Sequence, residues 1–362
     1  MNNVALFVTY TMLNPIVGGA FFRALRLARE MARRGWDPVI CNYGPVFYDP
    51  KIAASKDTVR FVRLDGGSAD EIRKRLEPLK PAVTIMGEGA FKVMEPFYEA
   101  AKSLDGPFIV LDQFYNHWLL PHTKGVDLVL MYALASFWRD ELMLAPPYEI
   151  TPPFIDEVTL KPALPVPVEL HSRPWITLVA YDDYVRDRGL DLFALVSRPE
   201  PVLVAVTRDP RACRDAAVAR DIELNRLVAL PLQSDPEVFG LFGASRVTMV
   251  SNGFIQIMDA LAMASPVIAL DRGTGAGMTE MNVDPRFRPW VSLQQPQAEQ
   301  IARIEAWLAD SPFSDELRER VSCERYGTSY CANRIEAVYR QMRRPQSRVQ
   351  AVMHHVARAF AR

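Results

Sequence analysis

Residues 247–270 read VTMVSNGFIQIMDALAMASPVIAL, and the fold follows from this stretch. The apolar, β-favouring run at 247–250 predicts a buried strand, and Ser251-Asn252-Gly253 predicts a tight turn. A helix is expected over 254–264 and a second buried strand over 266–270. Short, continuously apolar strands joined through a helix are half of a parallel α/β unit, because parallel strands need a crossover and are buried on both faces. Gly253 lets a ligand's oxygens approach the backbone, and the helix N-terminus behind it offers free N–H groups and partial positive charge. Asp259 falls a turn and a half into the helix, on the face that can reach past a phosphate to a sugar hydroxyl. The arrangement suggests a nucleotide-sugar site.

Outward from that stretch the same alternation fills the chain. Residues 4–10 (VALFVTY) read as a first buried strand. A loop ending in Gly18-Gly19 follows. A helix over 20–34 carries Phe21, Leu25, Ala28 and Ala32 on one stripe, with Arg23, Arg26, Arg29 and Arg33 largely elsewhere. Gly35 stops it, and the next strand is 36–42. Strands at 58–64, 82–86, 108–111 and 126–132 and helices at 68–79 and 91–103 continue the series. Prolines crowd 145–174, removing ladder donors and fixing φ, so that segment reads as a connection, with a short strand at 148–151 left to the first half. A second series begins with strands at 175–180, 202–207 and 226–231. A short helix at 235–242 leads into 247–270, and helices at 297–309 and within 314–343 follow. The expected organisation is a first doubly wound domain over 1–150, a connection over 151–174, a second doubly wound domain over 175–342 and a basic amphipathic tail helix over 343–362.

Bulk composition agrees. A length of 362 residues suits two domains, and 49% apolar residues suffice for large cores. A net charge of −1 argues against a nucleic-acid binder, which carries a strong basic excess. Cys41, Cys213, Cys323 and Cys331 are scattered without a CxxC, as in reduced cytosolic proteins. The N-terminus lacks a basic n-region and a cleavage site, and no long clean apolar run is present, so neither a signal peptide nor a membrane span is expected. The tail places Val349, Val352, Met353, Val356 and Phe360 at helical spacing beside Arg348, Arg358 and Arg362. It could touch an anionic membrane surface, although packing on the body is the favoured reading.

Two α/β halves joined by a proline-rich connection, with Gly253, Asp259 and Pro266 where they stand, resemble the GT-B glycosyltransferases. The best local match is the family of the lipid-II-forming N-acetylglucosaminyltransferase and the predicted glycosyltransferases related to it. In that family an acid lies six positions after the turn glycine and a proline seven positions after the acid, and both spacings hold here. The retaining branch has one more residue between glycine and acid, and a glutamate where Asn252 stands. The spacing therefore favours the inverting branch. The likeness covers 227–270 well and 4–42 loosely.

The resemblance implies a fold of two Rossmann-like doubly wound domains facing across a cleft. It also implies a nucleotide diphosphate sugar donor, most often UDP-linked. Ser251, Asn252, Gly253 and Phe254 would hold the diphosphate, and Asp259 would bond the ribose where the family has the longer glutamate. The glycine-rich loop 271–282 would bound the donor sugar, with Thr279, Glu280 and Asn282 as polar candidates. Gly18 and Gly19 would border the substrate from the first half. Two departures stand out: no histidine precedes His117, and Tyr181-Asp182-Asp183 replaces the glycine-rich loop after the first strand of the second half.

Inverting transfer needs a base for the acceptor hydroxyl and electrostatic support for the departing diphosphate. Glu88, between two glycines at a strand end, is the first candidate base; a helix-capping role is the competing reading. Asp112, at a similar strand end, is the second. His117 is read as lining the acceptor, and Arg272 could neutralise diphosphate charge. No DxD or metal-ligand cluster is present in the sequence, so no metal and no cofactor beyond the nucleotide-sugar co-substrate is expected. The acceptor, whether a small molecule, a lipid-linked species or a glycan, has no readable code. The expected location is cytoplasmic, with peripheral contact at the inner membrane face open through the tail. Two other readings are kept: a nucleotide-sugar epimerase or hydrolase on the same fold, and a non-catalytic GT-B-like binding protein.

Overall fold

The computed structural model describes residues 3–10, 19–43, 58–87, 94–112, 125–131, 148–150, 166, 170–233, 235–251, 254–270, 288–293, 295–310 and 328–343. In chain order the elements are β1 (Val4–Tyr10), α1 (Gly19–Arg33), β2 (Asp37–Tyr43), β3 (Arg60–Leu64), α2 (Ala69–Leu76), β4 (Val83–Gly87), α3 (Glu95–Lys102), β5 (Phe108–Asp112), β6 (Leu128–Met131) and β7 (Tyr148–Ile150). They continue with β8 (Trp175–Ala180), α4 (Asp183–Ala194), β9 (Val202–Thr207), α5 (Pro210–Val218), β10 (Leu227–Leu230), α6 (Asp235–Ala244), β11 (Val247–Ser251), α7 (Phe254–Ala262), β12 (Val267–Leu270), β13 (Val291–Leu293), α8 (Gln297–Ala309) and α9 (Thr328–Arg343). The chain forms two compact units, Met1–Asp156 with Gly327–Arg362, and Glu157–Tyr326.

In the first unit the described strands form one parallel sheet in the order β3-β2-β1-β4-β5-β6-β7. Leu6, Val8, Val39, Cys41 and Met86 point to the face covered by α2 and α3, where Ile72, Leu76, Phe97 and Tyr98 complete the core. The period-two alternation sends Ala5 and Phe7 to the opposite face, under α1. Ser68 starts α2 with a capping box: its hydroxyl accepts from the Glu71 N–H while the Glu71 carboxylate accepts from the Ser68 N–H at 2.8 Å. The short strand expected in the proline-rich segment is present as β7, on the edge of this sheet, where missing N–H donors are tolerated. Burial raises the Cys41 thiol pKa to about 12, which keeps it protonated.

The last helix departs from the expected division, which ended the second domain at 342. Helix α9 belongs to the first unit and packs on α1. Burial also corrects the reading of the α1 arginines as lying largely off the buried stripe. Arg23 and Arg26 are buried at 1% and 4% exposure, and Glu30 at 7%. A helix with the sheet on one side and a second helix on another has little solvent face left. Glu30 is the hub of the seam. It accepts from Arg34 Nε at 2.6 Å, from Arg33 Nη2 at 2.7 Å and from the Ser329 hydroxyl of α9 at 3.2 Å. Arg34 continues to Asn333 Oδ1 at 2.6 Å, and Trp36 Nε1 donates to Glu336 at 3.1 Å while its ring meets Tyr339 edge-on.

In the second unit the described strands form a parallel sheet in the order β10-β9-β8-β11-β12-β13. Ile176, Leu178, Ala180, Leu203, Ala205, Val247, Met249, Ile268 and Leu270 pack with residues of α4, α5 and α8 in one continuous core. The alternate positions carry threonines that bond locally: Thr177 Oγ1 meets Ser245 Oγ, and Thr248 Oγ1 lies 2.7 Å from Ser265 Oγ. Helix α7 ends two residues before the expected 264. Ala264 takes a left-handed φ of 55°, its N–H still reaching Leu261 O, because the following Ser265-Pro266 cannot continue a helix. The segment preceding β8 is held to its own unit by the Trp175 indole on Leu170 O at 2.8 Å and by Arg173, whose guanidinium donates to the carbonyls of Glu200, Pro199 and Asn225.

Gly189 lets α4 lie flush on β8. A Cβ there would sit 2.6 Å from Leu178 Cδ1 and 3.2 Å from its Cγ, inside a fully buried core. Gly189→Ala therefore lowers stability in urea titration: overpacking of about 1–3 kcal/mol outweighs a gain of about 1 kcal/mol in helix propensity. For Glu30, burial opposes ionisation, but the hydrogen bonds and charges of Arg34 and Arg33 prevail and hold the carboxyl below its usual range. With a folded pKa below the unfolded one, its stabilisation is present above the ordinary carboxylate range and is lost as pH falls through the lowered value. Glu30→Gln should cost about 2 kcal/mol at pH 7. The difference from the parent should shrink as denaturation is repeated toward pH 3.

Candidate functional site

Open parallel sheets bind ligands beyond the carboxyl ends of their strands, where the strand order reverses and neighbouring strands send their helices to opposite faces. Each sheet here has one such place among the described strands. In the first unit it lies between β1 and β4, whose ends are Tyr10 and Gly87; in the second, between β8 and β11, whose ends are Ala180 and Ser251.

In the second unit Val250 pairs with Val179 on one side and with Ala269 on the other, so Ser251 is held at the sheet's centre. The Ser251 hydroxyl, on a residue 4% exposed, donates to Gln256 Oε1 at 2.8 Å. Asp259, 5% exposed, lies three residues beyond Gln256, so the two are neighbours on the helix surface. Serine at the strand end, amide in the first turns of α7 and acid one turn on thus form a polar line leading away from the switch point. Ile257, Ala260 and Leu261 are the buried apolar residues that seat the helix. Phe254 begins α7, and no acid occupies the helix's first turn.

The neighbouring turns differ. Asp182 is the N-cap of α4, accepting from the Val185 N–H at 2.8 Å. Asp209 caps α5, accepting from the N–H groups of Arg211 at 3.0 Å and Ala212 at 2.9 Å. Asp182 was noted in sequence only as standing where a glycine loop is expected. Neither α4 nor α5 was predicted, although Asp182, and Asp209 followed by Pro210, are helix-start signals. Past Asp182, Arg186 is 9% exposed and engaged with two carboxylates, Asp183 at 2.8 Å and Asp187 at 2.9 Å. Burial works against its charge, but these partners prevail and raise its pKa.

In the first unit Gly87 ends β4 against β1. A Cβ at Gly87 would meet Cβ and Oγ1 of Thr9 at 3.3 Å, so the two strand ends approach closely at their switch point. Asp112 ends β5, one strand further along, and pairs with Met131 of β6. Gly19 is the first residue of α1. Glu88, Gly18, His117, Asn252, Gly253, Thr279, Glu280 and Asn282, together with Arg272 and the tail, lie outside the described residues. The structure therefore bonds Ser251 to Gln256, with Asp259 buried three residues further along α7, and it sets Asp112 and Gly19 at strand and helix ends of the first unit. Among the described residues no group of three or more His, Cys, Asp or Glu is placed to hold a metal, and no helix is long and apolar enough to cross a membrane.

No protein-family model matches the chain, and no curated protein matches it by sequence. Solved structures match it over nearly its whole length. A UDP-N-acetylglucosamine 2-epimerase superposes with a TM-score of 0.63 at 13% identity, covering 96% of this chain and 98% of its own. MnaA from S. aureus, solved with UDP, gives 0.63 at 11% identity over 92% and 95% of the two chains. The calicheamicin glycosyltransferase CalG4 gives 0.58 at 15% identity over 95% and 100%. At these identities the likeness is one of fold: the chain has the two Rossmann-like units of GT-B proteins.

Proposed function

We propose that this protein is a glycosyltransferase that moves a sugar from a nucleotide diphosphate donor, UDP-linked, to an acceptor hydroxyl with inversion. The observation that carries the reading is the end of β11 with the start of α7. There β11 ends at the sheet switch point in Ser251, whose hydroxyl donates to Gln256, α7 starts with no acid in its first turn, and the buried acid Asp259 lies three residues beyond Gln256. An N–H-rich helix end favours a diphosphate, and a carboxylate one to two turns further on suits ribose hydroxyls. Support also comes from the GT-B-like fold, which this chain has in common with a UDP-N-acetylglucosamine 2-epimerase and a calicheamicin glycosyltransferase.

In the reaction a base takes the proton of the acceptor hydroxyl. Its oxygen attacks the anomeric carbon as the bond to the diphosphate oxygen breaks, and the nucleoside diphosphate leaves with the electron pair. Glu88, the residue after Gly87, is the proposed base, with Asp112 second. Gly18, Gly19 and His117 are proposed around the acceptor, and Thr279, Glu280 and Asn282 around the donor sugar. Neither a metal nor a cofactor beyond the donor is part of the proposal. The acceptor is a small molecule, a lipid-linked species or a glycan, and the tail is the candidate for contact with a membrane surface.

A panel of UDP-, GDP- and dTDP-sugars read by thermal shift and by slow donor hydrolysis tests this. Stabilisation by a UDP-sugar is expected, and no shift with any nucleotide would sink the proposal. Asp259→Ala should weaken UDP binding by about tenfold or more, the loss of a hydrogen bond to a charged group. Glu88→Ala should leave binding intact and abolish turnover; unchanged turnover removes Glu88 as base. Isomerisation of the donor sugar without an acceptor would place the protein with the epimerases instead.

A further inference from the structure

Resting on the proposed nucleotide-sugar site, we infer that Gln256 is a specificity-determining residue of that site: its side-chain amide donates to the ribose beside Asp259, and the pair selects ribonucleotides over their deoxy analogues. Gln256 is the third residue of α7. Its amide is oriented from the sheet side. Ser251 ends β11 with 4% of its surface exposed, and its hydroxyl donates to Gln256 Oε1 at 2.8 Å. Oxygen and nitrogen diverge from the amide carbon, so committing Oε1 to the strand end turns Nε2 away from Ser251. The two N–H groups of Nε2 have no partner among the described residues, and Gln256 is partly exposed, so these donors face solvent.

Asp259 supplies the complementary half. It lies three residues further along α7, which makes the two side chains neighbours on the helix surface, their Cβ atoms about 5–6 Å apart. A ligand resting on both meets an amide donor and a carboxyl acceptor side by side. A phosphate oxygen only accepts, so the acid offers it no donor. A hydroxyl both accepts and donates, and two adjacent hydroxyls, as on a ribose, engage both groups at once. Removing one of those hydroxyls from the ligand leaves a protein group that was oriented for it without a partner, which is how a site built to hydrogen-bond a hydroxyl rejects the analogue lacking it.

Binding of UDP, 2′-deoxy-UDP and 3′-deoxy-UDP is measured by calorimetry for the parent, for Gln256→Met and for Gln256→Met combined with Ser251→Ala. Methionine matches glutamine in length and helix propensity but cannot donate. The double variant removes both ends of the Ser251–Gln256 bond, so no buried hydroxyl is left without an acceptor. The parent should prefer UDP over at least one deoxy analogue, and each variant should lose about three- to tenfold of that preference, the worth of one neutral hydrogen bond. The ratio decides the matter. A glutamine that only satisfied the Ser251 hydroxyl, or a variant with a weakened fold, would change the affinity for all three nucleotides alike. A preference unchanged within about twofold in either variant overturns the inference and leaves the donor site standing. Equal binding of all three nucleotides by the parent does the same, whereas a parent that binds no UDP overturns the donor site and the inference together.

Discussion

Parallel strands cannot be joined by a tight turn, and every strand pair among the described residues is parallel. Each step along either sheet therefore needs a crossover, and crossovers of one hand determine which face each helix covers. The first unit runs outward from β1 through β2 to β3, then returns to the other side of β1 with β4; the second repeats this from β8 through β9 and β10 back to β11. At each return, two adjacent strands send their helices to opposite faces and their turns diverge. Strand order alone thus opens a crevice at the ends of β1 and β4 and another at the ends of β8 and β11, before any polar side chain is considered.

What those crevices can hold depends on the few polar groups around them. Backbone N–H groups at helix starts are a positive resource in a parallel α/β sheet, and this chain uses some of them internally. The Asp182 and Asp209 carboxylates satisfy the N-termini of α4 and α5. Helix α7 begins without an acid, and its polar line from Ser251 to Asp259 runs along an otherwise apolar helix. Asp182, in the Tyr181-Asp182-Asp183 segment that replaces a glycine loop, serves as the α4 cap.

The same logic of pairing explains the seam between α1 and α9. Burial of Glu30 would be costly for an isolated carboxylate, but the guanidinium groups of Arg33, at the end of its own helix, and Arg34, just past it, and a hydroxyl from α9 surround it. The chain's last described helix is thereby bound to the first unit by polar contacts as well as by the Trp36–Tyr339 ring pair.

The strands and most helices were legible in the sequence because buried parallel strands are continuous apolar runs bounded by turn residues, a purely local property. Stretch 247–270 showed its strand, helix and second strand, and the short edge strand at Tyr148–Ile150 was visible even among prolines. Helices α4 and α5 and strand β13 were not found, because their stripes are short or interrupted by charges such as Arg186 and Arg214. By itself the sequence determined the α/β class, the two halves and the spacing from turn to acid, all set by neighbours along the chain. Only the tertiary structure decided that Arg23, Arg26 and Glu30 are buried, that α9 returns to the first unit and that β8 and β11 lie side by side. Those facts depend on which distant segments share a face, a long-range packing outcome that no local periodicity records.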